Sequence, residues 1–341
     1  MGAEVAMRCV ARGDDVTLLN RGNLPDPFSG LPEQMRAVHS RVRRVRADRR
    51  SEEAWRSLEG ERFDATIDFA AFDAADVRGV VQGLGERAGH YVFISTGQVY
   101  LVREGLPLLG DGAREEDYDG PLMARPLAGS PDLREWLYGV EKRAAEDELV
   151  KAAAREGFRS TRLRLPMING ERDHLRRIER YLWRILDGGP VILPDGGGEL
   201  ARHVYSGDVA ELVTRVLDEG TAATATRAWN VCQDEVPSVF ELVGMLIERM
   251  GAPDRRVSVP RARMETELAA QASELSPFSQ RWMSLLDPAR VKRELGFRHR
   301  PLGVYLDSIV ASFLAHPPAA PPESYLRLRA RELSCVERLG G

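Results

Sequence analysis

Cysteine is scarce in this chain. Cys9, Cys232 and Cys335 are odd in number and far apart, with no paired spacing for a metal or a redox couple. A charge excess of one sign is also lacking: 48 Lys and Arg against 52 Asp and Glu leave a net charge of −4. That balance argues against a whole-protein electrostatic grip on nucleic acid or an anionic membrane. No stretch approaches the ~18 consecutive apolar residues of a membrane span. The opening Met1-Gly-Ala-Glu-Val has neither the basic nor the apolar region of a signal peptide. What is present is 341 residues, 43% of them hydrophobic, enough to bury a core. At about 100–200 residues per domain this is one large or two smaller domains. The expectation is a soluble, cytoplasmic globular protein.

The first 230 residues alternate short β-rich runs with helical stretches. Strand candidates are Asp15–Leu19, Val42–Arg46, Asp64–Ala70, His90–Ser95, Ser160–Leu165 and Trp229–Cys232, with helical periodicity at Asp76–Glu86 and Gly139–Arg155 between them. Such alternation predicts a parallel sheet with helices on both faces and ligands at the carboxyl ends of the strands. From about Met167 the texture changes. Helices are expected at Asp173–Leu186, Ser238–Met250 and Asp287–Gly296, with turns at Gly188-Gly-Pro and Asp195-Gly-Gly-Gly. Pro317-Pro-Ala-Ala-Pro-Pro reads as a stiff linker before a last amphipathic helix, Glu323–Leu339. The Gly-, Pro- and acid-rich segment 101–134 is too long for an ordinary loop and has the length of a lid or binding loop.

Helix Glu4–Arg12, its stop Gly13 and strand Asp15–Leu19 form the second half of a β-α-β unit. A dinucleotide fold opens with a strand and a Gly-rich turn, whose backbone N–H groups and following helix terminus hold a pyrophosphate. Here only Gly2 stands where the last glycine of that turn falls. The absent strand is the central one, and its loss leaves two neighbouring strands with unpaired backbone groups, each costing ~1–3 kcal/mol. Either the native frame begins upstream or another segment takes that place. The alternative is an intact protein that binds no dinucleotide.

Tyr138-Gly-Val-Glu-Lys142 is the strongest chemical signal. Spacing i, i+4 puts phenol and ammonium on one helix face. A neighbouring cation favours phenolate and makes the tyrosine a usable proton donor or acceptor. The strand His90-Tyr-Val-Phe-Ile-Ser95 runs into Thr96-Gly-Gln-Val-Tyr100, which places a hydroxyl at a strand carboxyl end. Taken alone, the pair reads equally as a solvated helical contact.

In their order and spacing these residues resemble the extended short-chain dehydrogenase/reductases, the NAD-dependent epimerase/dehydratase family, over about residues 2–316. The landmarks are Val16-Thr-Leu-Leu-Asn-Arg-Gly22, Phe69-Ala-Ala71, Ile94-Ser-Thr-Gly-Gln-Val-Tyr100, Tyr138 with Lys142, Arg164-Leu-Pro166, His203-Val-Tyr-Ser-Gly-Asp-Val-Ala210 and Trp229-Asn-Val231. The resemblance implies an α/β protein with a Rossmann-like doubly wound parallel sheet in 1–166 and 203–235. A smaller substrate-binding domain would take 167–202 and 236–316, and 317–341 would be the linker and last helix. It also implies a Thr96, Tyr138 and Lys142 catalytic set, the lysine also holding the nicotinamide ribose. Gly2, Asn20, Arg21, Asp48, Phe69, Ala70, Ala71 and Pro166 would then line the cofactor. Arg21 suits a ribose 2′-phosphate, which points to NADP, with NAD as the alternative. Asp48 equally suits a helix cap.

Two positions depart from the sugar-nucleotide enzymes of that family. Met167 stands where an asparagine usually meets the substrate diphosphate, with Asn169 the nearest asparagine, and Arg202 lies one residue nearer Asp208 than the usual basic residue. A methionine pocket suits apolar surface better than phosphate, and the sequence looks closer to reductase-like members. Glu171, Asp173 and His174 lack a second histidine at ligand spacing, so no metal is expected, and His203 reads as a core residue. The run Arg41, Arg43, Arg44, Arg46, Arg49, Arg50 carries an RNA-associated reading, since some relatives associate with RNA. No stacking aromatics interleave with it, which argues against nucleic acid. The expected activity is hydride exchange between nicotinamide and a small carbonyl or alcohol substrate. Gln98, Met167, Asn169 and Arg202 would line the substrate, beneath 101–134. The rival is a non-catalytic dinucleotide-fold binding or regulatory protein. Family members often dimerise through a four-helix contact, for which the helices at 76–86 and 139–155 are the candidates here.

Overall fold

A computed structural model of the chain describes residues 1–22, 42–105, 112–218, 226–268, 272–315, 321 and 323–340. In chain order the strands are β1 (Thr17–Asn20), β2 (Arg43–Arg46), β3 (Ala65–Asp68), β4 (His90–Thr96), β5 (Ser160–Leu165), β6 (Met167–Asn169), β7 (Val191–Pro194), β8 (His203–Tyr205), β9 (Arg227–Asn230) and β10 (Arg256–Val259). The helices are α1 (Gly2–Arg12), α2 (Glu52–Arg56), α3 (Ala74–Leu84), α4 (Gln98–Leu101), α5 (Pro131–Glu156), α6 (Arg177–Leu186), α7 (Ser206–Asp218), α8 (Val239–Arg249), α9 (Arg261–Leu268), α10 (Ala272–Leu275), α11 (Ala289–Leu295), α12 (Leu302–Ala315) and α13 (Glu323–Gly340). They divide into two units, Met1–Leu165 with Ser206–Val231 and Leu286–Arg298, and Pro166–Tyr205 with Cys232–Leu285 and His299–Gly341.

The first unit is the expected α/β, Rossmann-like parallel fold. Strands β3, β4, β5 and β9 form one sheet in that order, and every ladder in it is parallel. β4 is buried at every position from His90 to Ser95, as a strand covered on both faces must be. On one face Tyr91 and Phe93 pack with Val77, Val80 and Val81 of α3 and Ala145 and Leu149 of α5. Local chemistry sets the helix ends. The Asp73 carboxylate caps α3 by accepting from the Asp76 N–H, and α5 begins on Pro131 and stops at Gly157 in the left-handed conformation. Strand β1 pairs in parallel with β2 as a separate two-stranded ladder. Among the described residues β1 pairs only with β2, and β3 only with β4.

In the second unit β6 pairs with β8 and β7 with β10, both in parallel. Tyr181 and Leu182 of α6, Leu242 and Leu246 of α8, and Tyr305 and Ile309 of α12 build its core. The division departs from the expected boundaries in two places. Residues 286–298 belong to the first unit: Trp229 Nε1 donates to Glu294, Arg215 to the Leu295 and Gly296 carbonyls, and the Asp287 N–H to the Ala113 carbonyl. The terminal helix α13 belongs to the second, where buried Glu332 takes ion pairs from Arg184 and Arg329, and Arg329 also holds Asp187 at 2.7 Å. Most of the proline-rich linker lies outside the described residues. Strands β6, β7, β8 and β10 have no counterpart among the strand candidates of the sequence.

Candidate active site

Every group of the expected catalytic set lies in the first unit. β4 delivers Thr96 at its carboxyl end, and α4 starts two residues later, with the Gln98 N–H donating to Thr96 Oγ1 at 3.2 Å. Helix α5 brings Tyr138 alongside because Gly139 permits it. A Cβ there would stand 2.5 Å from Val102 Cγ1 and 2.8 Å from the Gln98 carbonyl. The Thr96 side chain is near enough to Tyr138 to favour its charged form. About two turns further along α5, Ser95 donates to the buried Glu146 carboxylate at 2.5 Å, and Arg164 of β5 holds the same carboxylate at 2.7 Å. Helix α5 is therefore fastened to strands β4 and β5 beyond Tyr138.

Lys142 departs from its expected role toward Tyr138. It is on the expected face, but its long chain runs to the strand ends, where Nζ donates to the Ala71 carbonyl at 2.7 Å and the Ile94 carbonyl at 3.0 Å. The rings of Phe93 and Phe72 lie 4.6 and 5.4 Å from it. Burial pushes Lys142 down to about 8, against the raising influence of Asp68 and Glu146. Tyr138 is raised by its burial, opposed by the Thr96 side chain, with Glu135 raising it further. The group that favours phenolate here is thus the Thr96 hydroxyl, and Tyr138 is a protonated phenol at neutral pH. Glu135 was not evident from sequence, although it lies one turn before Tyr138 on the same face. It also accepts from the Gln98 amide at 3.4 Å.

The residues expected at a dinucleotide behave unequally. An ammonium has three donors, and two of those of Lys142 are spent, so one remains for a ribose hydroxyl. Arg21 is exposed just after β1, and its guanidinium has no partner among the described residues. Gly2 opens α1 against Phe69, whose ring a Cβ would meet at 3.3 Å. These positions suit the cofactor. Others are occupied by the chain itself: the Asn20 side chain accepts from the Gly22 N–H, Asp48 from the Arg50 N–H, and Asp68 takes the amides of Ala70 and Ala71. Asp48 is thus a turn residue ahead of α2, whose cap is Ser51. Pro166 is buried directly after β5.

The basic run is consumed by ion pairs and carbonyls. Arg43 pairs with Glu61, Arg46 donates to the Arg21 carbonyl, Arg49 binds Asp68, and Arg50 binds Asp73 and Asp76, while Arg41 lies outside the described residues. The long segment is anchored from 112 onward. Arg143 donates to the Tyr118 carbonyl at 2.7 Å, and the Glu115 carboxylate accepts from the Asn230 N–H at 2.8 Å. Residues 106–111 lie outside the described residues.

The second unit holds Met167, Asn169 and Arg202 together on the β6–β8 pair. The Met167 N–H reaches the Arg202 carbonyl, and the Asn169 amide lies 3.0 Å from His203 Nδ1. Met167 does not face an apolar pocket alone, since its sulfur lies 3.1 Å from Arg177 Nη1. Arg202 is 8% exposed with an unpaired Nε and no carboxylate partner among the described residues. Asn169 Oδ1 and His203 Nε2 are likewise buried without a hydrogen bond. Asp173 fastens Arg177 and its own loop, and Glu171 accepts from Tyr205.

Residues 85–232 match the model of the NAD dependent epimerase/dehydratase family. No curated protein sequence matches. Among solved structures, the UDP-glucose 4-epimerase of Thermotoga maritima, with UDP-glucose, has a TM-score of 0.68 at 17% identity, covering 93% of this chain and 96% of its own. The dTDP-glucose 4,6-dehydratase DesIV of Streptomyces venezuelae, with NAD bound, has a TM-score of 0.67 at 19% identity, covering 92% and 93%. The UDP-glucose 4-epimerase of Thermus thermophilus, in complex with NAD, gives 0.67 at 19%, covering 92% and 95%. These likenesses share the fold that the motifs led us to expect. The stretch that matches the NAD dependent epimerase/dehydratase model, residues 85–232, holds Thr96, Tyr138 and Lys142.

Proposed function

We propose that the protein is an extended short-chain dehydrogenase/reductase-type enzyme that exchanges a hydride between nicotinamide and a carbonyl or alcohol carbon. The observation that carries this is the Tyr138–Thr96 hydroxyl pair at the end of β4, with the buried ammonium of Lys142 on the same helix. A bound nicotinamide dinucleotide supplies the hydride donor or acceptor. Lys142, with its one unspent donor, holds the ribose, and Arg21 favours the 2′-phosphate of NADP over NAD. Thr96 orients the substrate oxygen. In reduction Tyr138 gives that oxygen its proton, and in oxidation the phenolate takes it back.

Arg202 in the second unit is a buried guanidinium without a carboxylate partner among the described residues, a costly state that a bound anion would relieve. The structural neighbours crystallised with UDP-glucose or with NAD and a thymidine nucleotide make a nucleotide-linked sugar the first class to test. A homodimer through α3 and α5 belongs to the same proposal.

Tyr138→Phe tests the reading. NADPH affinity, read by nicotinamide fluorescence, should stay within about twofold, while turnover falls by at least ~100-fold. Equal turnover in the variant removes Tyr138 from the mechanism. One observation favours the non-catalytic alternative, namely that β1 and β3 lack a shared neighbour strand among the described residues. A chain that binds neither NADPH nor NADH supports that alternative.

A further inference from the structure

Of the 48 basic residues only Lys142, Lys151 and Lys292 are lysines, and Lys142 is the one buried, at 4% exposure. What holds its ammonium is a backbone carbonyl, that of Ala71, in the turn that follows β3. That turn is itself held. Asp68, the last residue of β3, accepts through Oδ1 from the Ala70 N–H at 2.8 Å and the Ala71 N–H at 2.9 Å. It also takes Arg49 Nη1 at 2.7 Å and the second guanidinium nitrogen through Oδ2, and Tyr91 donates its hydroxyl to the same oxygen. A carboxylate has about four acceptor positions. Asp68 is saturated by the protein, so it has nothing left with which to touch a ligand.

We propose that Asp68 is a positioning residue for Lys142: with Arg49 and Tyr91 it locks the Ala70–Ala71 turn, and it keeps its own negative charge near the ammonium that this turn's carbonyl holds. This deepens the reading of Lys142 as the cation that holds the cofactor, and rests on that reading only for its consequence in cofactor affinity.

The groups facing Lys142 come from several elements. Asp68 from β3, Asp76 from α3 and Glu146 from α5 favour the charged form, while Arg49 and burial oppose it. The Phe72 and Phe93 rings complete the enclosure. The two members of the Arg49–Asp68 pair therefore act on the lysine with opposite signs. A merely structural role gives a different pattern, because loosening the turn in either variant lets water reach the amine and moves both titrations up toward the ordinary lysine value.

The experiment is a pH titration by NMR of the full chain carrying Lys151→Arg and Lys292→Arg, labelled with 13C at the lysine ε carbon. Lys142 is then the single lysine signal. Its midpoint should lie near 8, fall by ~1 unit in Asp68→Asn and rise by ~1 unit in Arg49→Met. An Asp68→Asn midpoint that stays put or climbs overturns the proposal. Should Asp68→Asn fail to fold, an unchanged midpoint in Arg49→Met still overturns the proposal. A parallel NADPH titration should show ~10-fold weaker binding in Asp68→Asn. The lysine titration needs no cofactor, so a parent chain that binds neither NADPH nor NADH defeats the enzyme reading and leaves this one standing.

Discussion

Burying the Lys142 ammonium costs stability, and the pH dependence of that cost is calculable. The unfolded lysine titrates at its ordinary value, 10.5, and the folded one at about 8. Below pH 8 both states are protonated and the full cost is present. Between pH 8 and about 10.5 the folded state has lost its proton and the unfolded state has not, so folding stability rises with pH by roughly 1.4 kcal/mol per unit. Urea unfolding of the wild type and Lys142→Met at pH 7, 9 and 10 should show the wild type gaining on the variant over that window. Parallel curves would mean the ammonium is solvated. At this scale Thr96, Tyr138 and Lys142 were legible in the sequence, because strand ends and helical spacing are local properties. That Lys142 is not among the groups acting on Tyr138 was not. Which neighbour a flexible lysine chain reaches depends on Ala71 and Ile94, residues far away in sequence.

The strands differ in how many neighbours they have. β4 lies between β3 and β5, and β5 between β4 and β9, whereas β1 and β3 each have one partner among the described residues. Backbone groups paired on both sides open only with the sheet as a whole, while those on an unpaired edge exchange from the native state. Amide hydrogen exchange should therefore be slowest in β4 and β5 and at least ~10-fold faster on average in β1 and β3. Equal protection across the four strands would show that something pairs with the two edges. The six main strands of this unit could be read from the alternation of apolar runs and helices. The acid-rich segment could not: its length suggested a lid, but Glu115 and Tyr118 are tied down by Asn230, Arg143 and Arg164. Buried polar anchoring of that kind leaves no periodic trace.

For the molecule as a whole, the terminal helix α13 is part of the second unit's core and no loose appendage. Glu332 is fully buried between Arg184 and Arg329, and Cys335, one turn on, is buried as well. Removing the carboxylate leaves two guanidinium groups with less anion around them, a change that costs ~3–5 kcal/mol where a buried pair loses one partner. Glu332→Ala should lower unfolding stability by that order and speed thiol labelling of Cys335, because the helix opens locally before the rest unfolds. Unchanged labelling would show that α13 is held by its apolar side alone. The same packing explains why 317–341 was expected to stand apart: its proline-rich lead looks like a linker, and nothing local records that Glu332 has a partner at Arg184.

The sequence alone determined the parallel α/β class and the six strands of the first unit, because both rest on hydrophobic period and short-range alternation. Tertiary structure decided which groups act on which. It turned Lys142 toward two carbonyls, saturated Asp68 with Arg49, Tyr91 and two amides, left Arg202 without an anion, and assigned 286–298 to the first unit. Charges and hydrogen bonds between distant segments carry no period along the chain, so only folding brings them into contact.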